Sequence, residues 1–403
     1  MTGIVIVGAG ECGTRAALTL RETGYRGSVT LIGEEAGLPY ERPPLSKPVG
    51  TSVLRKEICA GERLAAAEVD YRPGETVSAL APHAKTVSLA NGGVLSYDKL
   101  LLATGAAPRR LTCPGSEHVH VFRTFEDAKR LYGAVSGARR VAIIGAGLIG
   151  MELAAVLRAR DAQVTVLEAA DRTLGRAVPT VLAGRLHARH EEAGVTFVFG
   201  ARVQRISKDG VELEDGRHIS ADLVVAAIGV VPNTSVAEHA GLAVDNGIVV
   251  DPHLRTSAPD IFAAGDCACL NSGDGRSFRS ESWRNAQFHG AHAARAMTGV
   301  THPYARASWF WSDQYELGLQ VVGLPASDQT SVARQISVDA QIIFFLDQAE
   351  RLVAAAGLGR GTAVARDIRL AEMLIDAGEQ PNRQLLADPA TNLKSLLKQS
   401  RAA

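Results

Sequence analysis

Apolar residues run unbroken through Ile4-Val5-Ile6-Val7, give way to glycines at Gly8, Gly10 and Gly13, and resume at helical spacing to about Thr23, where Gly24 stops them. A short buried strand, a tight turn and an amphipathic helix are predicted, followed by a second strand over Ser28 to Ile32. The same order returns at Arg139-Arg140-Val141-Ala142-Ile143-Ile144, the glycines Gly145, Gly147 and Gly150, a helix through about Arg160 and a strand over Gln163 to Leu167. One strand-turn-helix-strand unit therefore occurs twice.

Between the copies, Val77 to Leu95 alternates in the manner of short strands around Asn91-Gly92-Gly93, a hairpin signal. Leu100 to Gly105 reads as a buried strand ending on glycine, and Leu223 to Gly229 as its counterpart after the second copy. From Trp309 the pattern shifts to alternating segments such as Gln341 to Leu346, then an apolar helix near Ile368 to Ala377. The last ten or so residues are expected to be loose. The fold class that follows is α/β: two Rossmann-like dinucleotide-binding domains plus a C-terminal α+β domain. The expected domains are 1–112 with 236–308, 113–235 inserted between, and 309–403 at the end.

A dinucleotide pyrophosphate needs backbone N–H groups at a helix N-terminus, close approach without a Cβ in the way, and a helix packed tightly on its strand. Gly8, Gly10 and Gly13 meet those needs, and Glu34 closes the second strand 21 residues after Gly13, placed to accept from ribose hydroxyls. Gly145, Gly147 and Gly150 repeat the fingerprint with Glu168 as the closing acid. A carboxylate there meets a ribose 2′-hydroxyl and repels a 2′-phosphate, which favours NADH over NADPH, while Arg172 four residues on would soften that preference. Glycines alone do not say which nucleotide each copy takes. The neighbouring segments do: a proline-fixed, extended loop from Leu38 to Lys47 presents Arg42 and Lys47 after the first copy, and Thr256 to Asp266 ends in Gly-Asp, where a carboxylate can hold a flavin's ribityl or diphosphate region.

Composition narrows the setting. Lys plus Arg and Asp plus Glu are both 43 of 403 residues, so no global field argues for nucleic acid or an anionic membrane. No basic n-region precedes Ile4, and the apolar run Val141 to Leu157 is too short and too interrupted by Gly145, Gly147, Gly150 and Glu152 to span a bilayer. The five cysteines (Cys12, Cys59, Cys113, Cys267, Cys269) form no C-x-x-C pair, which suits a reducing compartment and makes the cytoplasm the expected location.

PYERPPLSK (39–47), LLATGAAPR (101–109), GLIGMELAA (147–155), TSAPDIFAAGDCA (256–268), ESWRNA (281–286) and WFWSDQY (309–315) occur in one order along nearly the whole chain. In this set the chain resembles the FAD-dependent NADH:ferredoxin reductases that serve Rieske oxygenases and haem-thiolate monooxygenases, the putidaredoxin reductase and biphenyl dioxygenase reductase group. The resemblance implies FAD contacts at Gly8, Gly10, Cys12, Gly13, Glu34, Arg42, Lys47, Val77, Arg123, Asp266 and Trp283, and NADH contacts at Gly145, Gly147, Ile149, Gly150, Glu168 and Gly229. It further implies that Lys47 lies beside the flavin N5 edge as a stabilising cation and that Glu152 points toward flavin and nicotinamide, its pKa raised by burial. Trp309 and Trp311 resemble aromatics near the flavin face and docking surface, with ordinary packing as the alternative. Cys12 stands where the family usually has Ala; it is expected to pack as an apolar group and to lend the site some sensitivity to thiol reagents.

Related two-nucleotide enzymes pass electrons through a cysteine pair or a single loop cysteine, and neither stands at the expected spacing here. Cys267 and Cys269 form only a C-x-C and are read as packing residues. Electrons therefore leave the flavin directly, toward a small iron–sulfur ferredoxin that feeds an oxygenase, with Arg284, Arg295 and Arg306 as a basic docking patch. The expected assembly is a monomer or weak homodimer. Two other readings stay open on sequence: an NADH-oxidising, redox-responsive binding protein like apoptosis-inducing factor, and a soluble NADH:small-acceptor reductase.

Overall fold

The computed structural model describes residues 3–48, 52–176, 178–271, 277–300 and 302–399. The chain divides into two units, one of Met1–Pro44, Arg55–Ala107 and Val230–Arg306, the other of Leu45–Leu54, Pro108–Gly229 and Ala307–Ala403.

In the first unit the fully buried strand Gly3–Val7 lies between Val29–Gly33 and Val94–Leu102, parallel to both, and Val69–Pro73 extends the sheet beyond Val29–Gly33. Ile4 pairs with Val29 and Val5 with Leu100. Ile261–Ala263 also runs parallel to the far half of Val94–Leu102, while the near half turns antiparallel onto Thr86–Leu89 and thence Val77–Ala81. Asn91-Gly92-Gly93 makes the expected hairpin: Leu89 N–H bonds the Gly93 carbonyl at 2.7 Å, and Gly93 N–H bonds Asn91 Oδ1 at 3.0 Å. The helix Glu11–Glu22 packs its buried Ala16, Ala17 and Leu20 into this unit's core, against the helix Trp283–Met297.

The second unit repeats the parallel plan in the order Thr196–Phe199, Gln163–Glu168, Arg140–Ile144, Leu223–Ala226, His120–Val121. Its helix Leu148–Arg158 follows the second glycine turn. The same unit holds a five-stranded antiparallel sheet, ordered Trp309–Gln314, Leu317–Gly323, Leu352–Arg360, Gln341–Leu346, Thr330–Gln335, with the helix Ala365–Asp376 on it. That helix and sheet bury Phe344, Leu346, Ile368 and Leu374 as a separate core. The α/β class with a C-terminal α+β region is as expected.

Two expectations change. The segment Leu38 to Lys47 is not extended throughout, because Pro43–Ser46 closes into a 3-10 turn; the φ that proline fixes suits that turn as well as an extended chain. The tail is also more ordered than expected up to residue 399: Leu393–Ser395 and Leu396–Gln399 are helical, and Leu393 and Leu396 are buried in the C-terminal core. Burial of two leucines outweighs the usual fraying of a terminus. Residues 400–403 lie outside the described residues.

Candidate functional site

The two glycine turns are built alike. Gly8 has φ +108° and Gly145 φ +104°, a region that disfavours side chains, and a Cβ on either would strike a carbonyl oxygen, Ala103 at 2.1 Å or Ala227 at 2.5 Å. A Cβ on Gly13 would meet the Gly8 oxygen at 1.9 Å, and one on Gly150 the Gly145 oxygen at 2.0 Å. These contacts clamp each helix onto its strand. The middle glycines differ: a Cβ on Gly10 or Gly147 meets nothing within 4 Å. Both cap their helices without a side-chain partner, so first-turn N–H groups face open space at the positive end of the helix dipole. That cradle fits a diphosphate in each unit.

The closing acids are used differently. Glu34 is exposed and, among the described residues, its carboxylate has no hydrogen-bond partner, whereas its neighbour Glu35 accepts from the Tyr40 hydroxyl and from Arg42 at 2.7 Å. Arg42 also lies over the Tyr40 ring at 5.5 Å. Glu168 is half-buried, and its two oxygens accept the Ala146 N–H at 2.7 Å and the Ala170 N–H at 2.9 Å. Each oxygen keeps a further lone pair, so an oriented acceptor stands beside the second glycine turn. Arg172 donates to the Gly175 carbonyl at 2.8 Å and the Val178 carbonyl at 3.3 Å, which ties its guanidinium to its own loop.

In the first unit Cys12 is buried against Gly265, whose Cβ position lies 3.1 Å from the Cys12 Cβ. Burial, with Cys267 and Asp266 nearby, pushes the Cys12 thiol well above its ordinary range, so the expected thiol-reagent sensitivity gives way to an inert packing sulfur. Cys267 points at the Ala264 and Leu102 carbonyls (3.3 and 3.4 Å), also as packing. Asp266 sits half-buried in the turn Gly265–Cys267, Trp283 opens the helix Trp283–Met297, and Val77 is buried at the start of its strand. Gly265 N–H donates to His289 Nδ1 at 3.3 Å.

The second unit gathers the two residues expected to be catalytic. Glu152, in the helix after the glycine turn, is 6% exposed. Its Oε2 accepts from Ser46 Oγ at 2.5 Å and its Oε1 from Ser312 Oγ at 2.6 Å. Burial pushes its carboxyl up; Lys47 and the two hydroxyls pull the other way. Lys47 forms an ion pair with Asp313 and lies over the Trp311 ring at 5.2 Å. Trp311 donates from Nε1 to Asp313 at 3.2 Å and stacks on Trp309 with centroids 5.3 Å apart. Arg123, half-buried before the helix Phe125–Val135, Ile149, 42% exposed in the first turn of Leu148–Arg158, and Gly229, at φ +92°, belong to this unit too. Ser46, Ser312, Asp313, Gln314 and His190 were not singled out from sequence, although four of them sit inside PPLSK and WFWSDQY.

Residues 2–290 match the pyridine nucleotide-disulphide oxidoreductase family and residues 309–397 the reductase C-terminal family. The chain belongs to the pyridine nucleotide-disulphide oxidoreductases. The ferredoxin–NAD(+) reductase component of the 3-phenylpropionate/cinnamic acid dioxygenase of Photorhabdus laumondii is 38% identical over 398 residues, 96% of each chain. The corresponding component of an anthranilate 1,2-dioxygenase system of Burkholderia cepacia is 40% identical over 98% of each. Among solved structures, a ferredoxin reductase from Rhodopseudomonas palustris superposes with a TM-score of 0.92 at 33% identity, covering 98% of this chain and 99% of that one. Putidaredoxin reductase in covalent complex with putidaredoxin gives 0.91 at 32% identity, over 100% and 99%. Within the oxidoreductase family the chain is thus a ferredoxin reductase. All five of its cysteines are free. No helix among the described residues is long and apolar enough to cross a membrane.

Proposed function

We propose that this reductase takes a hydride from NADH into FAD and passes the electrons singly to a small iron–sulfur ferredoxin that feeds an oxygenase. The balance is one NADH and two oxidised ferredoxins to NAD+, a proton and two reduced ferredoxins. The doubled glycine cradle, with a different acid closing each copy, is the observation that carries it. FAD, when bound, accepts an electron pair and can release it one electron at a time.

The chain's residues supply binding and electrostatics. We assign FAD to residues 1–112 with 236–308, through Gly8, Gly10, Cys12, Gly13, Glu34, Arg42, Lys47, Val77, Asp266 and Trp283, with Arg123 and Trp311 contributing from outside those segments. NADH is assigned to 113–235 through Gly145, Gly147, Ile149, Gly150, Glu168 and Gly229, and 309–403 is taken as a C-terminal interface domain. Orientation of the two rings supplies most of the rate. Glu152 as an anion favours the positive charge that grows on the nicotinamide as its hydride leaves, and Lys47 favours the electron density that arrives. Free cysteines suit a reducing compartment, so the cytoplasm is the location proposed, with a monomer or weak homodimer as the assembly.

For the acceptor, Arg284 and Arg306 flank the Phe288 ring at 5.3 and 5.5 Å. Arg295 is exposed on the same helix, three turns and roughly 16 Å further along. This basic face suits an acidic ferredoxin. NADH should bleach the flavin absorbance, and a ferredoxin should reoxidise it rapidly; a long-lived reduced complex indifferent to ferredoxin would refute the reductase reading. Reversing Arg284 and Arg306 to Glu should lower ferredoxin turnover about tenfold at low salt while ferricyanide reduction holds. Equal loss of both would remove the docking assignment.

A further inference from the structure

Glu152 is the end of a longer buried chain. Gln314 donates from Nε2 to Ser312 Oγ at 3.1 Å, His190 Nε2 lies 2.9 Å from Gln314 Oε1, and the Tyr315 hydroxyl is 3.4 Å from His190 Nδ1. Ser46, Glu152, Ser312, Gln314 and His190 are all nearly or fully inaccessible, from 0% to 6% exposed. All five belong to the second unit, Ser46 from the segment Leu45–Leu54 and the others from the helix Leu148–Arg158, the helix Thr180–Glu192 and the strand Trp309–Gln314.

The direction of every bond follows from the carboxylate. An ionised carboxylate only accepts, so Ser312 must give it its proton and must accept from the Gln314 amide nitrogen. The Gln314 oxygen then faces His190 Nε2, which has to carry the hydrogen. His190 Nδ1 is left as an acceptor, and the Tyr315 hydroxyl is the donor beside it. The chain therefore runs one way, from Tyr315 to Glu152. A proton placed on the Glu152 oxygen that faces Ser312 would force the serine proton to turn away and cost the chain its terminal bond. Tyr315 itself is held at φ +55°, a left-handed conformation rare for an aromatic residue, with its ring edge-on to His190 at 4.9 Å and Arg189 over it at 4.3 Å.

We propose that His190 and Gln314 are positioning residues for Glu152: neither belongs to the assigned nucleotide contacts, and together they form a one-way donor chain that keeps its carboxylate ionised and fixed in direction during turnover. The groups facing Glu152 are Lys47, Ser46, Ser312 and Asp313, with Tyr132 across from it. Those facing His190 are Gln314 and Tyr315 from the strand end, and His187 and Arg189 from its own helix. His190 is neutral at the pH of turnover, since burial depresses it to about 4.

The consequence for hydride transfer rests on the role given to Glu152 above; the donor chain does not, and it is read without NADH. In 15N-histidine-labelled holoenzyme, His190 should appear as the Nε2–H tautomer from pH 6 to 8. The Glu152 carboxyl, followed by 13C NMR and assigned with Glu152→Gln, should titrate about half to one unit higher in His190→Leu and in Gln314→Met, while His190→Gln, which keeps a donor at the Nε2 position, should restore the wild-type midpoint. Should His190→Leu fail to fold, the near-isosteric Gln314→Met decides alone. An Nδ1–H tautomer, or superimposable Glu152 titrations in wild type and Gln314→Met, would overturn the proposal. A shifted titration with an unchanged pH profile for flavin reduction by NADH would keep the chain and remove the catalytic role assigned to Glu152.

Discussion

The two glycine units share the geometry of their turns and differ in what their acids are doing. Glu34 stands exposed, while Glu35 beside it is taken up by Arg42 and Tyr40; Glu168 is already braced by two backbone N–H groups. A resident cofactor is bound once, and its site can tolerate an acid that orders on binding. A donor that arrives and leaves in every cycle pays any ordering cost each time, so a pre-oriented acceptor is worth more there. The braced acid belongs to the copy assigned to NADH.

The sharpest way to break this comparison is through the glycines. Gly13→Ala and Gly150→Ala each drive a methyl into a carbonyl and should cost about 1–3 kcal/mol of stability, read as a lower midpoint in thermal unfolding. Gly10→Ala and Gly147→Ala place theirs in open space and should leave the apoprotein's melting unchanged, yet Gly10→Ala should strip flavin from the purified protein, and Gly147→Ala should keep the flavin and lose its reduction by NADH. Full flavin content in Gly10→Ala would mean that the first cradle does not hold the diphosphate.

Next in size are the acids. Glu168→Gln should erode the preference for NADH over NADPH by roughly tenfold to a hundredfold in kcat/KM, the value of a hydrogen bond to a charged group. Because Arg172 is tied to Gly175 and Val178, it should not rescue NADPH binding, and Arg172→Ala should change the ratio by less than about threefold. Glu34→Gln should alter FAD dissociation only a few-fold, measured by flavin release on dilution.

The smallest effects sharpen the comparison through pH. Burial holds His289, in the first unit, down to about 3 and His190, in the second, down to about 4. The unfolded chain then binds more protons than the folded one below about pH 6.5, so both histidines contribute stability at neutral pH that is lost as pH falls through that window. Glu152 has the opposite sign. Its folded pKa lies above 4.5, so stability falls as pH rises from 4.5 through that higher value. His289→Gln should flatten the acid-side loss of melting temperature by several degrees, whereas Glu152→Gln should raise melting by roughly 1–2 °C at pH 7 and not at pH 4.5. A flat response of Glu152→Gln across that range would mean its burial penalty is fully offset by Ser46, Ser312 and Lys47.

Local patterns account for what was legible in the chain. Period and glycine placement located both strand-turn-helix units, and Asn91-Gly92-Gly93 located a hairpin, because each is decided by residues a few positions apart. Boundaries moved by one or two residues, as at Val29–Gly33 and Leu148–Arg158. Glu152 was legible as a residue but its partners were not: Ser46 lies 106 positions away and Ser312 160, and His190 reaches Gln314 across 124. No short-range periodicity encodes such meetings. The same limit applies to Glu168, whose bond to Ala146 depends on how the glycine turn curls back over the next strand.

The buried sulfur of Cys12 bears on how long the molecule survives. Reduced flavoproteins exposed to oxygen leak peroxide, and peroxide attacks thiolates far faster than thiols. A sulfhydryl pressed against Gly265, shut off from water and kept protonated by its surroundings, offers that oxidant almost no reactive form. The one cysteine built into the first nucleotide fingerprint is thereby chemically retired, and oxidative ageing of this enzyme should begin elsewhere, at half-buried Cys113 or at exposed Met373.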